Sequence, residues 1–540
     1  MSQLESFARN ATKEYLQHVV FVDDDLYEKT PEKPVDVIEV LAPLKSQFTT
    51  AKSTPEEAIT QPTKPQFHPR QLVESFAKEG MICALYEPQE GFDCGITSDL
   101  FKLCDRADAV ILDWDLYNDD GRNIIPLIIN LVNISLRSMP YHAKLCVIYT
   151  AKQDLGRVAN YIYESIEKDE IKIDDVSSKL HLTVGATHII ILGKPGIRRT
   201  DEFQPFEVTE EQLAKRIIDE FSAMHKGILS SYVIYALASV RKNSKRILDK
   251  FNANLDAPFI LQRALSLENN EDSFDHLPEL IAEELFSIML DESIPVSDLN
   301  SITKEAIDKF NLGTINFLKS NNSAINPSDY AKLFLNGHPN ISFPKEKINR
   351  KITEFHSALG CIDSSEKKLA SLLCLRTRYC TITPPALEFG TIVHIDATQP
   401  SATARYAVCI MPACDCVRLT EQTTFPFWDL LPNPGSHSIG LTIPTNNQEF
   451  IELFLYGPPK KRLWLEKFSP CEKGIVQAQG EHPDFYFQGA DDNRVRLKWV
   501  CQLKPSHAQR IAHNIGQVFS RVGVNEAEWL RLRAAGSSQR

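Results

Sequence analysis

The stretch that most constrains the fold of this 540-residue chain is Asp108–Leu116, with the sequence DAVILDWDL. Four apolar residues from Ala109 onward stop abruptly at Asp113, and a second acid, Asp115, follows two positions later. An apolar run bounded by polar residues is typical of a strand buried on both faces, as in a parallel sheet. Because ligands of open α/β sheets bind beyond the carboxyl ends of the strands, the pattern predicts that Asp113 lies at a functional edge.

Three further apolar runs end in polar side chains in the same way. They are His18–Leu26 with Asp23 and Asp24, Lys144–Lys152 with Thr150, and His188–Gly196 with Lys194 and Pro195. Helix-like stretches lie between the runs. Strands that alternate with helices predict right-handed crossovers and a parallel sheet, so the expected fold class is doubly wound α/β. The polar side chains are expected to meet Asp113 at one edge of that sheet.

The ordered set of acids, threonine and lysine resembles the receiver domain of bacterial two-component response regulators, over residues 15–225. The resemblance rests on Asp23 and Asp24, Asp113, Thr150, and the pair Lys194 and Pro195. It implies a flavodoxin-like fold and a phosphoacceptor that takes its phosphoryl group from a histidine kinase. The alternative is a doubly wound domain whose acidic loop residues share no function.

The resemblance implies that Asp113 is the nucleophile, whose carboxylate takes the phosphoryl group and becomes an acyl phosphate. A hard divalent cation is needed to neutralise the incoming charge, and Mg²⁺ prefers oxygen ligands. Asp23 and Asp24 join Asp113 as the implied carboxylate ligands. The backbone carbonyl of Asp115 completes the set, and Mg²⁺ is the expected cofactor.

Lys194 and Thr150 have implied roles in contacting the phosphoryl group. The Lys194 ammonium places a mobile point charge against the phosphoryl oxygens, and the Thr150 hydroxyl donates a hydrogen bond to them. In receivers this hydrogen bond pulls the following loop inward, which is how the switch is read out. The resemblance also implies a cis peptide before Pro195.

Two features depart from the receiver pattern. An aromatic residue of the output switch usually stands three positions before the lysine, but this chain has Ile191 there. The domain is also long, with insertions expected at 27–68 and 153–187. Both departures argue against the ordinary activation relay, and neither removes a residue of the phosphorylation site.

The rest of the chain divides by composition, and its length suits about three or four domains. Residues 1–14 form a helical lead-in, 226–380 a helical region, 381–505 a small β-rich barrel or sandwich, and 506–540 a C-terminal helix and tail. Helix-like sequence at Met224–Leu255 contains the apolar run SSYVIYALASV. That run suits either intramolecular core or a homodimer contact.

Composition indicates an acidic protein of a reducing cytoplasm. The formal charge of −12 gives no general support for nucleic-acid binding. Twelve cysteines are too sparse for a secreted disulfide scaffold, and the N-terminus lacks the apolar core of a signal peptide. The most apolar helix-like run, Ile124–Val132, is too short to span a bilayer, so no membrane partner is expected.

A cysteine cluster in YAVCIMPACDCVRL is a candidate zinc site and consists of Cys409, Cys414 and Cys416. A fourth thiolate would come from Cys380, Cys471 or Cys501. The spacing matches no recognised zinc motif, and no histidine falls at ligand spacing. Small buried residues at the end of a strand are the favoured interpretation.

The basic residues within 494–540 are a candidate nucleic-acid stripe, but Glu526 and Glu528 interrupt them. A nucleic-acid site needs its cations on one face, interleaved with aromatic residues. A solvated helical face is therefore favoured, and nucleic acid is not an expected partner.

A long receiver chain without a familiar output domain resembles the receiver proteins of bacterial anti-phage phosphorelays, including a type proposed to act as a phosphate sink. The expected function is a signalling phosphoacceptor without further enzymatic activity, and a second receiver–effector protein is a candidate partner. The alternatives are an effector enzyme with catalysis in the β-rich domain, and a transcription regulator. No catalytic motif and no helix-turn-helix signal favours either.

Overall fold

The structure is a computed structural model that describes most of the chain. The described residues are 2–26, 68–137, 142–178, 180–265, 277–294, 298–306, 308, 363–377, 384–396, 405–432, 439–445, 449–455, 462–481, 484–490 and 495–519. They fall into two compact units, one of residues up to 308 and one of residues from 363 onward. No helix in these ranges is long and apolar enough to cross a membrane.

A seven-stranded sheet forms the centre of the first unit. Its strands are β1 (His18–Val22), β2 (Ile82–Tyr86), β3 (Ala109–Asp113), β4 (Lys144–Thr150), β5 (Asp175–Ser178), β6 (His181–Val184) and β7 (Thr187–Gly193). In the order β2-β1-β3-β4-β7, all neighbours are parallel. The antiparallel hairpin β5–β6 extends the sheet beyond β7. The four apolar runs are β1, β3, β4 and β7, which confirms the predicted parallel sheet.

Helices cover both faces of this sheet, as a doubly wound fold requires. The helices of the first unit are α1 (Gln3–Tyr15), α2 (Pro69–Lys78), α3 (Asp99–Arg106), α4 (Ile125–Arg137), α5 (Leu155–Lys168), α6 (Glu210–Met224), α7 (Ile228–Lys250), α8 (Asp256–Leu265) and α9 (Leu277–Asp291), with a helical stretch at 298–306. One core, with Phe101, Ile128 and Ile162, joins the sheet to α3, α4 and α5. The other, with Phe76 and Ile217, joins it to α1, α2 and α6.

The composition of the central strands explains where the polar side chains lie. All residues of β3 and of β4 are buried, whereas β2 at the edge of the sheet is largely exposed or half-buried. A strand covered on both faces must be apolar along its whole length, so its first polar residue comes at its end. Asp113 of β3 and Thr150 of β4 are therefore held at the same edge by rigid backbone.

The predicted insertion at 153–187 is too long. Its first part contains α5, the crossover helix that parallel strands such as β4 and β7 need between them. Only the hairpin β5–β6 is additional to the alternating pattern. Residues 27–67 of the other predicted insertion lie outside the described residues.

The predicted boundary between 15–225 and 226–380 does not separate compact units. α7 packs along α1, and α9 packs on α7. Arg241 of α7 donates to both carboxylate oxygens of Asp108, at 2.9 and 3.1 Å, and to the Tyr15 carbonyl at 2.9 Å. Since Asp108 directly precedes β3, this contact attaches α7 at the amino ends of the strands.

The apolar run of α7 supplies core to the first unit. Ile234 and Ala238 are buried, while Leu229, Val233 and Leu237 are 62%, 47% and 45% exposed. One face of the helix therefore has the intramolecular role that the sequence allowed. Homodimerisation through the other face remains a prediction.

The β-rich second unit consists of antiparallel sheets. Its elements are α10 (Asp363–Cys374), β8 (Leu375–Arg376), β9 (Thr391–Ile395), β10 (Arg405–Cys409), β11 (Thr423–Leu430), β12 (Ile439–Pro444), β13 (Phe450–Leu455), β14 (Leu463–Phe468), β15 (Tyr486–Gln488), β16 (Arg496–Leu503) and α11 (Pro505–Phe519). The larger sheet has the order β14-β11-β10-β9-β16-β15, with β8 beside β16, and β12–β13 is a separate ribbon. One core, with Trp428 and Ile511, includes the ribbon and both helices, and a second core contains Phe427 and Phe487.

Candidate functional site

Three carboxylates meet at the carboxyl edge of the first sheet. Asp23 and Asp24 directly follow β1, and Asp113 is the last residue of β3. Because β1 and β3 are adjacent and parallel, the three side chains place one oxygen each within 4.8 Å of the others. Asp23 and Asp113 are buried. In the described ranges this is the one group of at least three His, Cys, Asp or Glu side chains that can hold a metal ion.

The ammonium group of Lys194 lies against the side chains of Asp23, Asp24 and Asp113, which are called the acidic group below. Its Nζ donates to Asp23 Oδ2 at 2.7 Å and lies 3.3 Å from Asp113 Oδ2. Lys194 follows β7, and β4 separates β7 from β3. The long side chain therefore crosses the end of β4, where Nζ lies 5.7 Å from the centre of the Tyr149 ring.

Burial raises the pKa of Asp113 to about 6, Lys194 opposes this rise, and Asp23 adds to it. Burial by itself would lower the pKa of Lys194, but the carboxylates of Asp113 and Asp23 outweigh it and raise that pKa. A perturbed acid next to a specific charge partner is typical of a functional site.

The segment that contains these residues matches a known domain family. Residues 15–199 match the family model of the response receiver domain. This match covers about a third of the chain and includes all seven strands of the first sheet. No curated protein and no solved structure matches the chain. The receiver domain predicted from the ordered acids, threonine and lysine is confirmed.

Thr150 ends β4 at the same edge of the receiver domain and is fully buried. Asp113 pairs in register with Tyr149, so Thr150 lies one position beyond the acid. On its other side Thr150 pairs with Gly193 of β7. Its Oγ1 accepts a hydrogen bond from the Lys152 N–H at 3.1 Å. A hydroxyl oxygen that accepts a hydrogen bond keeps its own hydrogen for donation.

The carboxylate of Asp115 turns away from the acidic group. It pairs with Lys152 Nζ at 2.9 Å and accepts from the Asp120 N–H at 2.9 Å. The Asp115 carbonyl, which the resemblance assigns to the metal, accepts a long hydrogen bond of 3.3 Å from the Asn118 N–H. Since a carbonyl oxygen has two lone pairs, this bond leaves one for a cation.

The loop between β3 and α4 contains strained backbone. Tyr117, Asn118 and Asp120 have φ angles of 57°, 57° and 54°, in the left-handed region that side chains disfavour. The Tyr117 N–H donates to Asp24 Oδ2 at 2.7 Å, and its hydroxyl donates to the Pro88 carbonyl at 2.6 Å. Asp24 therefore belongs to the acidic group and also accepts a hydrogen bond from the backbone of the strained loop.

Ile191 is fully buried in β7, at the position where receivers usually have an aromatic residue. Its N–H donates to the Leu180 carbonyl at 3.1 Å, next to the hairpin β5–β6. An isoleucine has no polar tip, so it cannot alternate between buried and hydrated positions as a tyrosine does.

The acidic group fits a hard divalent cation. Asp23, Asp24 and Asp113 bring three carboxylates together, and Lys194 supplies a single positive charge. Carboxylate oxygens are the ligands that such cations prefer.

Sequence reasoning missed two cations at this edge of the receiver domain. Lys152 Nζ bridges Asp115 and Asp120, at 2.9 and 3.1 Å. Arg199 is buried and contacts the backbone at the ends of β4 and β7. The available signal was the location of both residues in the segments that directly follow those strands.

The cysteine cluster forms no metal site among the described residues. Cys409 and Cys416 are buried, whereas Cys414 is exposed. Burial, and then the adjacent Cys416 thiol, raises the pKa of Cys409. Cys501 lies in the other core of the second unit, and Cys380 lies outside the described residues. Cys409 and Cys416 thus lie in the core that contains Phe427 and Phe487.

Two of the basic residues near the C-terminus are engaged within the second unit. Lys498 Nζ lies 2.6 Å from Asp484 Oδ1, and the Arg496 guanidinium carbon lies 3.5 Å from the centre of the Tyr486 ring. Arg510 is exposed on α11, whereas Arg494 and residues 520–540, with Arg521, Arg531, Arg533 and Arg540, lie outside the described residues.

Proposed function

We propose that the receiver domain accepts a phosphoryl group on Asp113 from the phosphohistidine of a histidine kinase. The observation that carries this proposal is the convergence of Asp113 with Asp23, Asp24 and Lys194 at the carboxyl edge of the sheet. A nucleophilic carboxylate, further acids and a mobile cation are the groups that transfer to an aspartate needs.

In this reaction a carboxylate oxygen of Asp113 attacks the phosphorus atom of the donor. The new O–P bond forms as the P–N bond breaks, and the imidazole nitrogen keeps the electron pair of that bond. Lys194 offsets negative charge on the phosphoryl oxygens. The Thr150 hydroxyl, whose oxygen accepts from the Lys152 N–H, donates its hydrogen to the same group.

Asp23, Asp24 and Asp113, with the Asp115 carbonyl, are the residues proposed to hold Mg²⁺. When bound, the cation supplies the positive charge that lets a dianionic phosphoryl group enter an acidic site. The chain contributes the carboxylates, and the Tyr117 N–H orients Asp24 among them.

Phosphorylation of the Asp113→Asn variant tests the assignment. With a small phosphodonor such as acetyl phosphate, or with a cognate kinase, the native protein should acquire one acid-labile phosphoryl group per chain. The variant should acquire none. Asp25→Asn is the matched control, because Asp25 is exposed and outside the acidic group, and it should be labelled. Full labelling of Asp113→Asn at another residue would contradict the proposal.

The finer role that we propose is a cytoplasmic phosphate sink in an anti-phage phosphorelay. A buried Ile191 beside the hairpin β5–β6 supports it, because neither feature offers the movable aromatic of an output switch. Such a protein competes with a second receiver–effector protein for one kinase. Adding the native chain should lower phosphate transfer to that second receiver, whereas adding Asp113→Asn should not.

A further inference from the structure

The Arg199 side chain is fully buried at the carboxyl edge of the receiver domain. Its Nη1 donates to the Lys194 carbonyl at 2.7 Å and its Nη2 to the Thr150 carbonyl at 3.1 Å. Its Nε donates to the Lys152 carbonyl at 3.2 Å. One guanidinium therefore contacts the backbone of both residues that are proposed to touch the phosphoryl group.

Two neighbouring residues accommodate the Arg199 guanidinium: Gly193 leaves space for it, and Glu207 pairs with its charge. A Cβ on Gly193 would lie 2.6 Å from the guanidinium carbon, so the close approach requires glycine at that position. Glu207 Oε2 accepts from Arg199 Nη1 at 3.0 Å, and Glu207 Oε1 accepts from the Gly196 N–H at 3.1 Å. The buried charge is thus paired, which it must be because an unpaired buried charge is costly.

The fork geometry of a guanidinium is needed here. Three carbonyls from two chain segments are contacted at once, and the rigid plane of arginine presents several donors in fixed directions. The Lys194 N–H also donates to the Thr150 carbonyl, at 2.8 Å. The ends of β4 and β7 are therefore tied to each other directly and through Arg199.

We propose that Arg199 is a positioning residue for phosphoryl transfer, which fixes the spacing between the Thr150 hydroxyl and the Lys194 ammonium. The proposal rests on the proposed function of Asp113. Arg199 contacts the backbone of the phosphoryl-binding residues and does not touch the reacting atoms. The hydrogen bonds from Arg199 to the carbonyls of Thr150, Lys152 and Lys194, here called the Arg199 clamp, join the ends of β4 and β7.

Two variants disturb the clamp in different ways. Arg199→Lys keeps a positive charge for Glu207 but has one ammonium group in place of the fork. Gly193→Ala keeps the arginine and displaces its guanidinium through the added Cβ. Either change should lower the rate of acetyl phosphate labelling at saturating donor by about 10- to 100-fold, the scale expected for a misplaced contact.

The Mg²⁺ concentration that gives half-maximal labelling separates positioning from general damage. The proposed metal ligands Asp23, Asp24 and Asp113 stand at the ends of β1 and β3, and Arg199 donates to none of them, so this concentration should change by a smaller factor than the labelling rate does. If Arg199 had only a structural role, the substitutions would lower thermal stability and leave the labelling rate of the folded protein unchanged. The double variant should be no slower than the slower single variant, because both changes disrupt one set of contacts.

Arg241→Lys is the matched control. Arg241 is also a forked arginine, on Asp108 and the Tyr15 carbonyl, but it lies at the amino ends of the strands. This variant should lose thermal stability and keep the native labelling rate. If Arg199→Lys does not fold by circular dichroism, Gly193→Ala decides the question.

The possible failures are distinguishable. A native protein that acquires no phosphoryl group on Asp113 overturns the proposed function, and the positioning role with it. A labelled native protein whose folded Arg199→Lys or Gly193→Ala variant reacts at the native rate overturns the positioning role alone.

Discussion

Lys194 Nζ lies closer to Asp23 than to Asp113, at 2.7 Å against 3.3 Å. The shortest contact of Lys194 in the site is therefore made with an acid other than the proposed phosphoacceptor. The pKa of Asp113 is about 6, because burial raises it by more than the positive charge of Lys194 lowers it. The acidic group is thus an unfavourable arrangement of charge that a cation or a proton relieves.

Asp113→Asn should stabilise the cation-free protein above pH 6. The pKa of Asp113 is about 6 in the folded chain and 3.8 ordinarily, so the folded state binds this proton more tightly. Stability therefore falls as pH rises from about 4 to about 6, by up to about 3 kcal/mol. The variant should recover that amount at pH 8 and show no gain at pH 4. Unfolding in EDTA measures it, and an equal gain in Asp115→Asn would contradict the explanation.

Mg²⁺ should stabilise the native chain, by about 2.7 kcal/mol at a concentration of 100 times its Kd. Asp24→Asn should lose most of this stabilisation, because it removes a charged ligand while its side-chain oxygen still accepts from the Tyr117 N–H. Asp25→Asn is the control, since Asp25 is exposed and outside the acidic group. Thermal unfolding with and without Mg²⁺ provides the measurement. Undiminished stabilisation of Asp24→Asn would remove Asp24 from the ligand set.

Gly121→Ala should destabilise the loop after the phosphoacceptor. Gly121 has a φ of +86°, and an added Cβ would lie 2.2 Å from the Trp114 ring, which is buried. We expect a loss of about 1–3 kcal/mol from overpacking, and slower labelling of Asp113. Gly91→Ala is the control, because Gly91 has a φ of +78° and nothing within 4 Å of the added atom. Equal losses in the two variants would show that backbone conformation, and not the contact with Trp114, sets the cost.

Phosphorylation should change hydrogen exchange mainly in the loops that follow Asp113 and Thr150. A ligand shifts a conformational equilibrium only through differential stabilisation of two states, and the buried Ile191 has no polar tip that could move between a buried and a hydrated position. Exchange of the phosphorylated and unphosphorylated chains, with Asp113→Asn as the unreactive control, measures this. Large protection changes across residues 226–308 or 363–519 would indicate a conventional output switch and contradict the sink.

Several features of the site were predictable from the sequence for a simple reason. A doubly covered parallel strand is apolar along its length, so the first polar residue after each run marks the carboxyl edge. Asp23, Asp113, Thr150 and Lys194 were placed at one edge on that ground. The hairpin β5–β6 was not foreseen, because a short antiparallel addition beside β7 has no distinct period that separates it from an insertion.

The sequence by itself determined four of the seven strands of the sheet, β1, β3, β4 and β7, and which polar residues follow them at its edge. Only the tertiary structure showed that Lys194 donates a hydrogen bond to Asp23, and that Arg199 donates to the carbonyls of Thr150 and Lys194. The physical reason is that strand ends follow from local hydrophobic patterning. The partner of a long cationic side chain, by contrast, depends on where loops place backbone carbonyls that are distant in the sequence.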